Sequence, residues 1–238
     1  MIKTAMILAA GRGERLKPLT DRQPKAMCRV DGIPLIEYHV AKLAQSGFQR
    51  LIINHAYLGY QIRHHLQNGS KFGIEIIYSP EPPGALETGG GIVNALPLLG
   101  SEPFLTVNAD IYTDFDFKSV VMPTHSLAHL VLVKRPIYFE HSDFGLSNAG
   151  ELLNTDKKYT FAGIACYCPE LFLKKIPGRY SVTPLLLELA RLKKATGELY
   201  EGQWMDIGTK NRLAEANARA VSIPILSKET EFSLGTFD

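Results

Sequence analysis
The chain alternates between two hydrophobic rhythms. "TAMILAA", residues 4–10, is a continuous apolar run, as expected of a strand covered on both faces. "PLIEYHVAKLAQSG" has helical spacing and lies between Pro34 and Gly47, good start and stop residues. "RLIINHA" predicts a strand, "YLGYQIRHHLQNG" a helix ending at Gly69, and "IEIIYSPE" a further strand. "GGIVNALPLLG" then holds a short helix, and "PFLTVNAD" is another buried strand, ending at Asp110. This β-α-β-α-β order implies a parallel sheet with right-handed crossovers. The second half is more mixed. "AHLVLVKRP" and "TFAGIACYC" predict strands, and "FGLSNAGELLN" a hairpin turning at Asn148-Ala149-Gly150. "TPLLLELARLKKATG" predicts a helix with Pro184 near its start and Gly197 after its end. "LYEGQWMDIGT" reads as a strand running into a turn, and "KNRLAEANARA" as a last helix with Thr209 as its N-cap. No repeat, low-complexity segment or linker interrupts this pattern. The expectation is a single-domain α/β fold over residues 1–220, a mostly parallel twisted sheet with helices on both faces. A tail without clear period follows over 221–238.

Composition narrows the partners. The 238 residues suffice for a sizeable core, and 45% hydrophobic with 21% charged residues is ordinary for a globular chain. A net charge of +2 is too small for a protein that neutralises many phosphates, so no nucleic-acid partner is expected. Any basic feature is local, which points to a small anion. The three cysteines, Cys28, Cys166 and Cys168, form no disulfide framework and fit a reducing compartment. Cys166 and Cys168 lack the second pair that a zinc site needs and read as alternating strand positions. The N-terminal apolar run is short and is followed at once by Arg12, Arg15 and Lys17, so a buried strand explains it better than a signal peptide. No run reaches a membrane-spanning length, and the expected location is the cytoplasm, with no membrane partner.

The chemistry concentrates after the first strand. "LAAGRGERLKPLTDRQPK" carries five cations, Arg12, Arg15, Lys17, Arg22 and Lys25, against Glu14 and Asp21. In an open parallel sheet, ligands bind beyond the carboxyl ends of the strands, where this loop lies. Gly11 and Gly13 let backbone N–H groups approach an anion closely. The third glycine of a dinucleotide fingerprint is missing, and so is the GxxxxGK[ST] of a P-loop. Pro18 and Pro24 keep the segment from forming a plain helix. Arg15 has the forked geometry for a polyphosphate, and Lys25 is restrained by Pro24. Arg12, Lys17 and Arg22 read as surface charge, and the whole cluster is also compatible with a merely solvated loop.

"MILAAGRGERLKPLT" followed by "PKAM" resembles the signature of the sugar-1-phosphate nucleotidyltransferases. "GIPLIEYHVAKLAQSG", "INHAYLGYQIRHHL", "LETGGGI", "VNAD" and "WMDIGT" extend the resemblance to about Ala220. It implies a Rossmann-like nucleotidyltransferase fold and Mg²⁺-dependent attack of a sugar-phosphate oxygen on the α-phosphorus of a nucleoside triphosphate. Positioning and charge neutralisation do the work, without a protein nucleophile. Arg15, Lys25 and Asp110 are the implied catalytic residues. Asp110 and Asp206, each at a strand end, are the implied metal ligands, although a turn cap and an Asx turn before Gly208 also explain them. Asp114 and Asp116 read as exposed loop carboxylates. Ala109 stands where the family often has glycine. The nucleotide is expected at Leu8, Ala10, Gly11, Gly13, Arg15, Lys25, Glu81 and Ala85. A carboxylate at Glu81 would accept from uracil, thymine or guanine and reject cytosine; Glu81 reads equally well as a solvated loop residue. The sugar phosphate is expected at Glu87, Gly145, Asn154 and Gly163, where a helix-dipole charge at Glu87 and a β-bulge at a strand glycine are the bland alternatives. His64-His65 reads as a solvated pair and Trp204 as core.

"INHA", "SPE", "LETGGGI" and "TDFDF" in a short chain resemble a branch of the family that acts in peptidoglycan recycling. That implies UTP and N-acetylmuramic acid 1-phosphate as substrates. Mannose-1-phosphate guanylyl transfer and glucose-1-phosphate thymidylyl or uridylyl transfer are the alternatives. The chain stops soon after the last helix, so a minimal enzyme is expected, a monomer with a dimer as the alternative. A sugar-nucleotide sensor without turnover is the rival of another class. The presence of Arg15, Lys25, Asp110 and Asp206 weighs against it, as the missing third glycine weighs against a dehydrogenase.

Overall fold
The computed structural model describes residues 2–219. Its strands are β1 (Thr4–Leu8), β2 (Arg29–Val30), β3 (Ile33–Pro34), β4 (Arg50–His55), β5 (Glu75–Pro80), β6 (Phe104–Asn108), β7 (Ile111–Thr113), β8 (Ala128–Lys134), β9 (Gly145–Leu146), β10 (Leu152–Leu153), β11 (Tyr159–Tyr167), β12 (Ala195–Tyr200) and β13 (Trp204–Asp206). The helices are α1 (Leu35–Gln45), α2 (Gly59–Leu66), α3 (Glu87–Leu99), α4 (Thr183–Arg191) and α5 (Lys210–Arg219). A seven-stranded sheet runs in the order β12-β8-β11-β6-β1-β4-β5. β1, β4, β5 and β6 are mutually parallel, as are β8 and β12, and β11 alone runs against its neighbours.

Strand alternation sends side chains to two cores. Ala5 and Ile7 of β1, with Leu51, Ile53 and Val107, pack under Ile36, Val40 and Leu43 of α1 and Ile62 and Leu66 of α2. Met6, Ile52 and Phe104 face the other way, against Ile92 and Ala95 of α3 and Leu186 and Leu189 of α4. A third cluster joins Leu16, Cys28, Val30, Leu35, Met205 and Ile207 and fastens the loop after β1 to β13 and α5. The expected mostly parallel sheet with helices on both faces is present. So is the hairpin, with Leu152 opposite Leu146, and Thr209 Oγ1 accepts from Arg212 N–H at 3.3 Å.

Several expectations need correction. The helix expected to continue up to Gly197 stops at Arg191; Lys193 turns at φ 53°, and Ala195–Tyr200 becomes a strand parallel to β8. The helix expected to be short is α3, thirteen residues long, with three glycines inside it. His65 is not solvated: its Nε2 lies 2.5 Å from Glu37 Oε2, while His64 is exposed. Trp204, by contrast, packs against the first core as expected, with Nε1–H donating to Ala162 O at 2.9 Å. The tail 221–238 lies outside the described residues.

Candidate active site
The carboxyl ends of β1, β4 and β6 meet at one edge. Ala109 N–H donates to Leu8 O at 3.1 Å, and Ala9 N–H donates to Asn54 Oδ1 at 2.7 Å. A cleft of about 840 Å³ opens there. Leu8, Ala10, Gly11, Lys25, Glu81, Ala85, Glu87 and Asp110 all line it.

The loop after β1 folds as three 3₁₀ turns, Glu14–Leu16, Leu19–Asp21 and Lys25–Met27, in place of one helix. Gly13 sits behind the cleft wall. Its φ is +70°, and a Cβ there would lie 3.0 Å from Lys25 Cβ, so a side chain would be strained and would crowd Lys25. The Gly13 carbonyl accepts from Thr20 Oγ1 at 2.8 Å and from Leu16 N–H at 3.0 Å. Gly11 has open space where a side chain would be. Lys25 Nζ pairs with Asp110 Oδ2 at the foot of the cleft.

Asp206 stands beside this pair. β13 lies antiparallel to β7, with Asp206 opposite Ile111, and Ile207 N–H donates to Asp110 O at 2.7 Å. Asp206 Oδ2 is 3.0 Å from Arg212 Nη2; its Oδ1 is buried without a well-formed hydrogen bond among the described residues, although the Tyr138 hydroxyl lies beside the carboxylate. Burial raises its pKa, Arg212 opposes the rise, and the Asp110 charge adds to it. Two carboxylates whose charges meet, one with an oxygen that lacks a well-formed hydrogen bond, are a fitting donor set for a hard divalent cation that takes one or two carboxylates. Among the described residues no group of three or more His, Cys, Asp or Glu gathers as a fuller metal cage.

The cations divide differently from the expectation. Arg12 lines the cleft and is fixed: it donates to Thr20 O at 2.6 Å and Asp21 Oδ1 at 2.8 Å and lies 3.9 Å over the Tyr57 ring. Its reading as surface charge is therefore wrong. Arg15 is exposed and not among the cleft residues; its Nη2 lies beside Gly208, on the Asp206 side. Asp114 is exposed, as expected, and accepts from Gln203 N–H at 2.8 Å.

Glu81 is no solvated loop residue. It is buried, with Oε1 accepting from Asn54 Nδ2 at 2.6 Å and Oε2 from Leu86 N–H at 2.7 Å, and burial raises its pKa. It ties β4 to the entry of α3. Three expected sugar residues fall away from the cleft lining. A Cβ on Gly145 would lie 2.4 Å from Thr155 O, so local backbone contact explains that glycine. Gly163, at φ +73° against Asn108, forms the bulge in β11 where the register with β8 shifts. Asn154 borders a separate depression with Pro184, Glu188 and Arg191. Asn54, Tyr57, Thr88, Asn108 and Arg179 line the cleft without having been expected there. "INHA", "LETGGGI" and "VNAD" had flagged the segments of three of them, but only the sheet order brings those segments together.

The open backbone at Gly11, the Lys25–Asp110 pair at the foot of the cleft and Asp206 beside that pair make a candidate site for a polyphosphate and a divalent cation. Residues 4–162 match the nucleotidyl transferase family model, and the chain belongs to that family. It is 46% identical, over 91% of its own length and 97% of the relative's, to the N-acetylmuramate alpha-1-phosphate uridylyltransferase of Neisseria meningitidis serogroup B. A relative of the same name in Caulobacter vibrioides is 30% identical over 91% of this chain and 96% of that one. The fold matches a Bacillus anthracis structure, solved with sucrose and described as a candidate glucose-1-phosphate thymidylyltransferase. The TM-score is 0.81 at 21% identity, covering 94% of this chain and 96% of that one.

Proposed function
We propose that this chain transfers a uridylyl group from UTP to N-acetylmuramic acid α-1-phosphate. A phosphate oxygen of the sugar attacks the α-phosphorus, the bond to the β-phosphate breaks, and pyrophosphate leaves. The observation that carries this reading is the meeting of Lys25, Asp110 and Asp206 beneath the open backbone at Gly11. Lys25 neutralises phosphate charge, and the loop amides hold the triphosphate. Asp110 and Asp206 would hold Mg²⁺, which supplies charge neutralisation on the polyphosphate when bound. Glu81 fixes Asn54 and Leu86, and so shapes the end of the cleft where the Ala85 backbone meets the base. A place in peptidoglycan recycling, a cytoplasmic location and a monomeric state complete the proposal.

The test is pyrophosphate release from four nucleoside triphosphates against the 1-phosphates of N-acetylmuramic acid, N-acetylglucosamine, glucose and mannose, with and without Mg²⁺. UTP with N-acetylmuramic acid 1-phosphate, dependent on Mg²⁺, is the expected best pair. Preference for GTP with mannose 1-phosphate would overturn the substrate assignment, and no release from any pair would overturn the reaction.

A further inference from the structure
The glycine run Gly89-Gly90-Gly91 sits in the first turns of α3, where helix propensity disfavours it. Two of its members face a strap, residues 178–182. A Cβ on Gly90 would lie 1.9 Å from the Gly178 carbonyl oxygen, and one on Gly89 2.7 Å from the Tyr180 ring. The N–H groups of Gly89 and Gly90 donate to Tyr180 O at 3.0 and 3.1 Å. Tyr180 N–H donates to Leu86 O at 3.1 Å, and Val182 N–H to Thr88 Oγ1 at 3.0 Å. The strap thus satisfies helix-start donors that have no partner within the helix.

This docking delivers Arg179 to the cleft wall beside Glu87. Its Nε lies 3.3 Å from Glu87 Oε1, and its side chain is 64% exposed. Among the described residues Glu87 is its one ion-pair partner, so both terminal nitrogens remain for a ligand. Of the other two cations of the cleft, Arg12 is held by Thr20 and Asp21, and Lys25 sits with Asp110 at the foot of the cleft, where the phosphate is proposed.

We infer that Arg179 is a specificity-determining residue that pairs with a carboxylate carried on the sugar of the sugar 1-phosphate. The inference rests on the function proposed above. N-acetylmuramic acid 1-phosphate bears a lactyl carboxylate in addition to its phosphate, and N-acetylglucosamine 1-phosphate is the same sugar without it. A guanidinium with two free nitrogens meets a carboxylate in a two-pronged geometry. Glu87 holds the side chain ready, and an uncharged sugar gains nothing from the pair.

The test measures three constants in wild type, Arg179→Ala and Arg179→Lys. They are the KM for N-acetylmuramic acid 1-phosphate, the KM for UTP, and the inhibition constant of N-acetylglucosamine 1-phosphate as a competitor. Arg179→Ala is expected to raise the first about tenfold while moving the other two by less than about twofold, and lysine to recover part of the loss. Equal weakening of both sugars, a loss confined to UTP, or no change in Arg179→Ala would overturn the role of Arg179. A wild type that turns over no N-acetylmuramic acid 1-phosphate would instead overturn the functional reading beneath it. Melting of both variants at the wild-type temperature confirms that the exposed side chain was not needed for folding.

Discussion

Arg12 and Arg15 lie one helical turn apart in sequence, yet the loop after β1 sends them to different places. Three 3₁₀ turns break the helical register, so Arg12 reaches the cleft against Tyr57 while Arg15 goes to the Gly208 side. The two carboxylates divide in a similar way. Asp110 faces Lys25 and the cleft, and Asp206 is buried behind it with Arg212 at its back. Asp110→Asn keeps size and hydrogen-bonding capacity but removes the charge that pairs with Lys25 and that the proposed Mg²⁺ would need. We expect turnover to fall by about 10³-fold or more with little change in melting temperature. Near-normal pyrophosphate release in that variant would remove Asp110 from the reaction. The cleft positions of Gly11, Lys25 and Asp110 were legible because a loop after the first strand and a carboxylate at a strand end carry their place in the sequence pattern, and the family resemblance pointed to Asp206 beside them. Arg12 was not legible, because its fixing partners, Tyr57 and the Thr20 carbonyl, come from tertiary contact and from backbone. Asn154 was misplaced for the opposite reason: a polar residue after a short strand has no pattern that says which depression it borders.

At the scale of elements, α3 is the clearest case of packing overriding propensity. Its three glycines argue for a short, weak helix, yet it runs for thirteen residues because the strap at 178–182, Glu81 and Asn54 need the space those side chains would fill. Gly90→Ala pushes a methyl group into the Gly178 carbonyl. The expected loss is about 1–3 kcal/mol in urea unfolding, together with a raised KM for the sugar phosphate as the strap carrying Arg179 lifts. Wild-type stability and KM in Gly90→Ala would show that the strap is free to move. The boundary between α4 and β12 was illegible for a related reason. "LARLKKATG" keeps helical composition past Arg191, and only pairing with β8 decides that Ala195–Tyr200 extends. By contrast β1, β4 and β6 could be read from their apolar runs, since strands covered on both faces have little polar alternation.

At the scale of the molecule, burial makes stability depend on pH through His39. It lies fully inside α1, its Nε2 has no partner among the described residues, and its ring packs 6.4 Å from that of Phe117. Burial pushes its pKa down from 6.5 to about 4; Lys42 adds to the drop, while a backbone hydrogen bond with Ile111 and the Asp110 charge oppose it. The unfolded chain therefore binds the proton first on acidification. Stability is unaffected by this group above about pH 6.5 and falls between there and about pH 4, by about 3 kcal/mol at most. His39→Gln is expected to flatten that slope in urea unfolding at pH 7 and pH 4.5, and an unchanged slope would show that other groups set it.

The reversed strand β11 has a consequence for the order in which the chain is made. β4 finds β1, and β5 finds β4, among residues already synthesised, and β6 can join β1 as soon as it emerges. The other edge of β6 must wait for Tyr159–Tyr167. During translation, the free edge of "FLTVN" therefore stands unpaired, open to any second nascent chain on the same messenger. A ribosome stalled between β6 and β11 would hold the most aggregation-prone form of this protein.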